Sequence, residues 1–103
     1  MRAQEVIIMD EAAEDLDKGR DFYDSREYGV GEYFVDSLIS DITSLRLYAG
    51  IHARYFGFLR MLSKRFPFCI YYYVESDFAV VVAVLDMRMN PGTIRDILME
   101  RHK

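Results

Sequence analysis

The sequence has little cysteine, tryptophan and proline: one cysteine, no tryptophan and two prolines in 103 residues. A single cysteine excludes an intramolecular disulfide. Because Cys69 lies within a run of apolar residues, we expect a buried, unreactive thiol. No apolar run approaches the roughly 18 residues of a membrane-spanning helix, and the first residues lack the apolar segment of a secretory signal. We therefore expect a cytoplasmic protein that does not enter a membrane.

Sequence motifs for metal, nucleotide or nucleophilic chemistry are also missing. The chain has no glycine-rich phosphate loop, no histidine and cysteine cluster at metal-binding spacing, and no serine, histidine and aspartate set that spacing supports. We therefore expect neither a metal nor a cofactor.

The acidic residues are concentrated in the first half of the chain, although the net charge is only −4. Residues 1–50 carry twelve acidic and five basic residues, whereas residues 51–103 carry eight basic and five acidic residues. This asymmetry is compatible with an anionic partner for the second half. It is equally compatible with a solvated acidic helix beside an ordinary sheet.

The most apolar part of the chain consists of two runs, Phe66–Val74 and Phe78–Leu85, separated by Glu75, Ser76 and Asp77. Both runs are rich in β-branched and aromatic residues, which predicts a β-hairpin. Apolar residues occupy odd and even positions alike, so we expect cover on both faces of these strands.

Helical periodicity dominates the first half of the sequence. The apolar stripe of the first helix, which ends near Arg26–Tyr28, is Ala12, Leu16, Gly19 and Tyr23. A second helix is predicted from Glu32 to Tyr48, with a stripe of Phe34, Leu38, Ile42 and Leu45. Two such helices form an αα-hairpin whose apolar side must pack on the sheet.

The remaining segments complete an α+β fold. Glu5–Met9 is a short strand, and Pro91 opens a last helix that Asn90 caps. Residues Tyr55–Arg65 are predicted to form a strand with one side made of Phe56, Phe58, Arg60, Leu62 and Lys64. The order is β-α-α-β-β-β-α: a small, antiparallel-rich sheet packed against an N-terminal αα-hairpin, in one domain over residues 1–103.

Several local motifs follow one another along the chain: Leu16, Phe22-Tyr23, Gly29-x-Gly31-x-x-Phe34, Asp41-x-x-x-Leu45, Arg65-Phe-Pro-Phe68, Ile70-Tyr-Tyr72, the valine-rich strand to Leu85, and Arg88-x-Asn-Pro91. In this order they resemble the RelE/ParE superfamily, and in particular the ParE and plasmid-stabilisation branch of type II toxin–antitoxin modules. The resemblance covers nearly the whole chain.

The resemblance implies a small toxin whose sheet is covered on one side by the helical hairpin. It also implies an antitoxin, encoded in the same operon, that wraps the toxin with a helix and an extended segment. One branch of the superfamily cuts messenger RNA in the ribosome, whereas the ParE branch poisons DNA gyrase. Whether this chain forms a homodimer or a hetero-oligomer is left open.

Cutting RNA requires a base, cations around the phosphate, and an acid for the leaving oxygen. If the chain acts like RelE, the catalytic candidates are Lys64, Arg65, Arg88 and His102. Relatives often carry a histidine where Asp86 stands and an arginine where Met89 stands, and both departures weaken this reading. A net charge of −4 also disfavours entry into the ribosome. A non-catalytic, ParE-like inhibitor of gyrase is therefore favoured.

Binding to an antitoxin or target is assigned to Phe56, Phe58, Arg60, Lys64, Arg65 and Arg88. The last helix has only Ile94, Ile97 and Leu98 to bury, so we expect an uncovered aromatic patch on the sheet face away from the helical hairpin. Two alternatives remain: the cations are solvated, with Arg88 pairing with Asp86 or Glu100, or the chain is a non-catalytic binding module whose sheet accepts a strand or helix.

Overall fold

The computed structural model describes residue 3 and residues 5–101 and confirms the predicted α+β class. Its elements are β1 (Glu5–Ile8), α1 (Asp10–Arg26), α2 (Val30–Thr43), α3 (Leu45–Tyr48), β2 (Arg54–Tyr55), β3 (Phe58–Leu62), β4 (Phe68–Glu75), β5 (Phe78–Asp86) and α4 (Pro91–Arg101). Among these described elements, no helix is long and apolar enough to cross a membrane.

The five strands form one sheet in the order β1-β5-β4-β3-β2. β1 runs parallel to β5, and the other neighbours are antiparallel. The predicted hairpin is confirmed as β4 and β5 at the centre of the sheet. Its first strand begins at Phe68 and not at Phe66, since Pro67 has no N–H to donate to the ladder.

Both faces of the central strands are covered, as predicted. α1 and α2 pack on one face, where Phe34 and Leu38 meet Ile70 and Tyr72. The other face carries α4, whose buried side chains pack in a second cluster. That cluster consists of Ile94, Leu98, Phe58, Cys69, Tyr71, Val82, Ala83 and Leu85. The expected uncovered aromatic patch is therefore wrong, because the central residues of this face lie under α4.

Glycine allows the helical hairpin to close tightly. A Cβ on Gly19 of α1 would lie 2.4 Å from an aromatic carbon of Phe34 in α2, closer than side chains tolerate. The Phe34 ring therefore occupies the space above Gly19 and reaches Phe68 of the sheet, with ring centroids 4.8 Å apart. This packing places the end of the hairpin next to the start of β4.

The second helix differs from its prediction at both ends. α2 begins at Val30 and ends at Thr43, and a separate short helix, α3, follows Ser44. The Ser44 hydroxyl donates to the carbonyl of Asp41 at 2.6 Å. Such a side-chain bond competes with the helical backbone ladder, which accounts for the interruption of the predicted Glu32–Tyr48 helix.

The predicted Tyr55–Arg65 strand is instead a small hairpin. β2 and β3 pair through Tyr55↔Phe58, and Phe56 and Gly57 form the turn with φ values of 52° and 84°. Phe56 is therefore 38% exposed at a turn, whereas Phe58 is 5% exposed in the core. The assignment of Phe58 to an exposed binding face is wrong, because its ring packs in the α4 cluster.

A buried ion pair closes the outer edge of β5. β1 pairs with β5 only as far as Ile8↔Val81, so the edge beyond Val81 has no neighbouring strand. The Asp15 carboxylate accepts the N–H of Val84 at 2.9 Å, and Arg101 donates to the carbonyl of Val82 at 3.1 Å. Arg101 also donates two bonds to Asp15, which raises the pKa of Arg101. The pair thus replaces a strand and fixes α4 to α1.

We expect Asp15→Ala to lower the free energy of unfolding by about 3–5 kcal/mol, because it leaves Arg101 buried without its partner. The matched control is Asp17→Ala in the same helix, which removes an exposed ion pair with Arg20 and should cost less than about 1 kcal/mol. Urea denaturation measures both values. Equal effects of the two substitutions would contradict a structural role for the Asp15–Arg101 pair.

The contrast between Phe58 and Phe56 is also testable. Phe58→Ala should lower the free energy of unfolding by roughly 3 kcal/mol or more, because it opens a cavity in the α4 cluster. Phe56→Ala, at the exposed turn, should cost less than about 1 kcal/mol. Thermal unfolding followed by circular dichroism separates the two, and a stable Phe58→Ala variant would disagree with the burial of this ring.

Candidate functional site

The predicted cations lie on two parts of the surface. Arg60 on β3 and Lys64 just after it line the same groove. Arg65 is exposed in the β3–β4 loop, and Arg88 is exposed in the turn after β5. A hydrogen bond of 2.9 Å from the Met87 N–H to the Pro67 carbonyl joins the loop to the turn. The structure therefore does not gather the cations in one pocket, and His102 lies outside the described residues.

Arg88 is paired with Asp86, as one sequence-based alternative allowed. Its guanidinium donates to the two carboxylate oxygens at 2.9 and 2.7 Å, and its backbone N–H adds a third bond of 2.8 Å. The bonds from the Arg88 side chain lower the pKa of the Asp86 carboxyl. A phosphate approaching Arg88 would meet this carboxylate, so Arg88 is poorly suited to stabilise a reacting phosphate.

A cluster of partly exposed rings lies beside these loops, and we call Phe22, Tyr23, Tyr33 and Phe66 the aromatic surface. Its ring centroids are 5.1 Å apart for Phe22 and Tyr23, 4.9 Å for Tyr23 and Phe66, and 5.5 Å for Tyr33 and Phe66. The Arg26 guanidinium lies 4.7 Å from the centroid of Phe22. Rings and arginines exposed together are typical of protein-binding surfaces.

Sequence reasoning missed the aromatic surface, although two of its signals were visible. Phe22-Tyr23 and Arg65-Phe-Pro-Phe68 stand out in the sequence as family-like motifs, and their apolar character predicts core positions. The contribution of Tyr33 depends on how α2 meets the β3–β4 loop. No local pattern in the sequence gives that arrangement.

The groove beside β3 has a volume of about 620 Å³ and is the second candidate surface. Its lining residues are Asp41, Ser44, Tyr48, Ile51, His52, Arg60, Met61, Leu62 and Lys64. We call it the β3-edge groove. Asp41 is buried and accepts hydrogen bonds from the Ser63 hydroxyl at 2.9 Å and from the Lys64 N–H at 3.2 Å. These bonds fix the chain at the end of β3, where Lys64 reaches the surface.

His52 is held by a buried tyrosine. The Tyr72 hydroxyl accepts the N–H of Gly50 at 3.0 Å and lies 2.5 Å from Nδ1 of His52. Because the hydroxyl already accepts one bond, its own proton is available to Nδ1, which favours a neutral imidazole. Burial lowers the pKa of His52, and this also favours the neutral imidazole. The bond between Nδ1 of His52 and the Tyr72 hydroxyl therefore holds the loop after α3 against the sheet.

The other polar groups of the sheet are poorly placed for catalysis. The Tyr71 hydroxyl is buried without a hydrogen-bond partner in the described part of the chain, and burial raises the pKa of Tyr71 to about 12. Cys69 is a buried free thiol, and burial raises its pKa. Within residue 3 and residues 5–101, no three histidine, cysteine or acidic side chains could hold a metal ion. The arrangement suits binding through exposed rings and cations.

Comparison with known proteins gives a structural likeness. No protein-family model matches the sequence, and no curated protein matches it. Among solved structures, the fold is similar to that of a chain of the chromosomal ParDE toxin–antitoxin system from P. aeruginosa. The TM-score is 0.71 at 19% sequence identity, and the match covers 82% of this chain and 94% of that one. At this identity the likeness shows that the two chains share a fold.

Proposed function

We propose that this chain is the toxin of a type II toxin–antitoxin module, that it inhibits DNA gyrase as the ParE branch does, and that a cognate antitoxin neutralises it in the cytoplasm. The observation that carries the proposal is the fold shared with a ParDE chain over 82% of this sequence. The ordered motifs from Leu16 to Pro91 support the same class.

Three features favour a protein target over messenger RNA in the ribosome. The net charge of −4 weakens the approach to a polyanion. Arg88 is already paired with Asp86, and the Nδ1 of His52 is bonded to Tyr72. Neither side chain is free to act as the cation or base that RNA cleavage requires. Gyrase is a protein, and inhibition by contact requires none of these groups.

The aromatic surface and the neighbouring Arg65 and Arg88 are proposed to contact the target. Phe22 and Tyr33 are half exposed, and packed rings flanked by arginine commonly dominate binding energy at protein interfaces. This surface shares no lining residue with the β3-edge groove, although Lys64 of the groove and Arg65 beside the surface are consecutive in the chain.

Expression of this chain alone should slow bacterial growth, and co-expression of the product of the neighbouring reading frame should restore it. The reason is that a toxin with no antitoxin inhibits its target without restraint. Growth curves and viable counts measure the effect, with a frameshifted gene of the same transcript length as control. Normal growth at high levels of folded protein would contradict the proposal.

If gyrase is the target, affected cells should accumulate gyrase–DNA cleavage complexes and induce the DNA-damage response while protein synthesis continues. If Arg65 contacts gyrase, Arg65→Glu should weaken the binding of this chain to gyrase by roughly 2 kcal/mol, or about thirtyfold. Fewer cleavage complexes should then accumulate.

The matched control is Arg95→Glu, which reverses an exposed charge on α4 and should leave the cleavage complexes unchanged. Early arrest of translation with transcripts cut inside codons would instead identify a ribosome-dependent nuclease. Equal toxicity of Arg65→Glu and Arg95→Glu would remove Arg65 from the target surface.

A further inference from the structure

We propose that the cleft between α1 and α4 binds a small aromatic carboxylate, a compound of one ring with a short chain that ends in a carboxylate group. The cleft has a volume of about 280 Å³ and lies beside the part of β5 that extends beyond β1. We call it the α1–α4 cleft. Binding of such a compound does not depend on which macromolecule the chain inhibits.

The walls of the α1–α4 cleft come from both layers of the fold. α1 contributes one face, on which Asp15, Lys18 and Phe22 follow the three- and four-residue spacing of a helix. α4 contributes Ile97 and Arg101, one turn apart. The remaining lining residues are Gly19, Phe68, Val84, Leu85, Asp86 and Met89. Because these residues belong partly to one core cluster and partly to the other, the cleft marks the place where the two clusters meet.

The apolar lining of the cleft favours an aromatic ring. Phe22 is 44% exposed, and the Arg26 guanidinium lies 4.7 Å from its ring centroid. Phe68 contributes a second ring and Met89 a thioether. Ring–ring and sulfur–ring contacts are favourable beyond the area that they bury. The volume is slightly below the roughly 300–1,000 Å³ of typical ligand pockets, so the cleft suits a single ring and not a peptide segment.

The charges of the cleft balance except for one cation. The Asp15 carboxylate is paired with Arg101, and the Asp86 carboxylate is paired with Arg88. Lys18 is exposed on α1, and no acidic side chain among the described residues forms an ion pair with it. An ammonium group at the rim of an apolar cleft is complementary to a carboxylate, with which it forms charge-assisted hydrogen bonds.

Arg101 offers further donors on the opposite wall. A guanidinium carries five N–H groups, and Arg101 makes two bonds to Asp15 and one to the Val82 carbonyl. Within the described part of the chain, the other N–H groups are left for a ligand. Lys18 lies one helical turn from Asp15, the partner of Arg101. A carboxylate at the rim between α1 and α4 would therefore lie near both cations.

Two related ligands fit less well. An amine of the same shape would bring its charge beside Lys18 and Arg101, and like charges repel. An aliphatic acid would satisfy Lys18 but would lose the ring contacts with Phe22 and Phe68. An aromatic carboxylate meets both requirements.

The acids of α1 limit the affinity. Glu14 and Asp21 lie one turn from Lys18 and are exposed, so they oppose an anion, although solvent and salt screen them. A carboxylate in direct contact with Lys18 experiences the nearer charge more strongly. For a ligand of this size we expect a dissociation constant on the order of 0.1–1 mM.

The direct test is titration of the purified chain with phenylpropionate, followed by methyl NMR. The methyl signals of Val84, Leu85 and Ile97 should shift with one common dissociation constant. The Ile51 methyl groups, in the β3-edge groove, are the internal control and should not shift. No shift of the cleft methyl groups at about 10 mM ligand, well above the expected dissociation constant, would overturn the proposal. Equal shifts at Ile51 would also overturn it.

Three matched ligands test the chemical class. Phenylpropanol lacks the charge, phenylpropylamine reverses it, and hexanoate lacks the ring. Each should bind at least about fivefold more weakly than phenylpropionate. Binding of the alcohol or the amine as tight as that of the acid would contradict selection by charge, and equal binding of hexanoate would contradict selection of a ring.

Substitutions test the assigned cation. Lys18→Met removes the charge and keeps most of the side-chain length, so it should weaken phenylpropionate binding by about tenfold. Lys18→Arg keeps the charge and should stay within about threefold of the original chain. The matched control, Arg95→Met, removes an exposed cation of α4 outside the cleft and should change binding by less than about twofold. Equal losses in Lys18→Met and Arg95→Met would contradict the assignment.

Filling the cleft is an independent test. Ile97→Trp places a larger side chain in the cleft and should abolish phenylpropionate binding, while far-UV circular dichroism checks that the chain is folded. Undiminished binding to folded Ile97→Trp would overturn the proposed location. Should Ile97→Trp fail to fold, the Lys18→Met and Arg95→Met pair decides.

Failure of this proposal can be told apart from failure of the proposed function. Binding of phenylpropionate to the purified chain requires neither a target nor an antitoxin, so a chain that leaves growth unchanged can still bind it. Conversely, a chain that slows growth but shows none of the expected methyl shifts keeps the proposed function and loses the ligand site.

Discussion

Strands β4 and β5 carry apolar side chains on both faces, and water must be excluded from each face for the sheet to form. The αα-hairpin covers one face, and α4 covers the other. Fully buried Tyr71 and Tyr72, neighbours in β4, point to opposite layers. With both faces covered, side chains available to partners are confined to strand edges, loops and the end of the hairpin.

Much of this fold could be predicted because its signals are local. The continuous apolar runs predicted the central hairpin, and Asn90 before Pro91 predicted the start of α4, where the Asn90 side chain accepts the N–H of Gly92 at 2.8 Å. The β2–β3 hairpin was missed because Phe56-Gly57 interrupts a sequence that otherwise alternates like one strand. The burial of Phe58 depends on α4, far along the chain, and no spacing rule gives that contact.

The candidate site could be predicted by residue type but not by arrangement. Lys64, Arg65 and Arg88 were identified as surface cations, and all are exposed. Whether such cations act together depends on their neighbours: Arg88 is paired with Asp86, and Arg60 lies over the ring of Tyr55, 4.2 Å from its centroid. Asp86 offsets the charge that Arg88 offers to a ligand, whereas the ring of Tyr55 fixes the position of the Arg60 guanidinium without removing its charge.

The ion pair between Asp15 and Arg101 joins residues separated by 86 positions in the chain. Such a contact closes a long loop and therefore restricts the unfolded chain strongly. Pairing of the intervening strands shortens that loop, so the contact becomes favourable only after they have paired. We therefore expect it to form late in folding and to contribute mainly to the barrier against unfolding. The open edge of β5 would remain available for other pairings until that last contact forms, which makes the order of folding events a determinant of the solubility of the nascent chain.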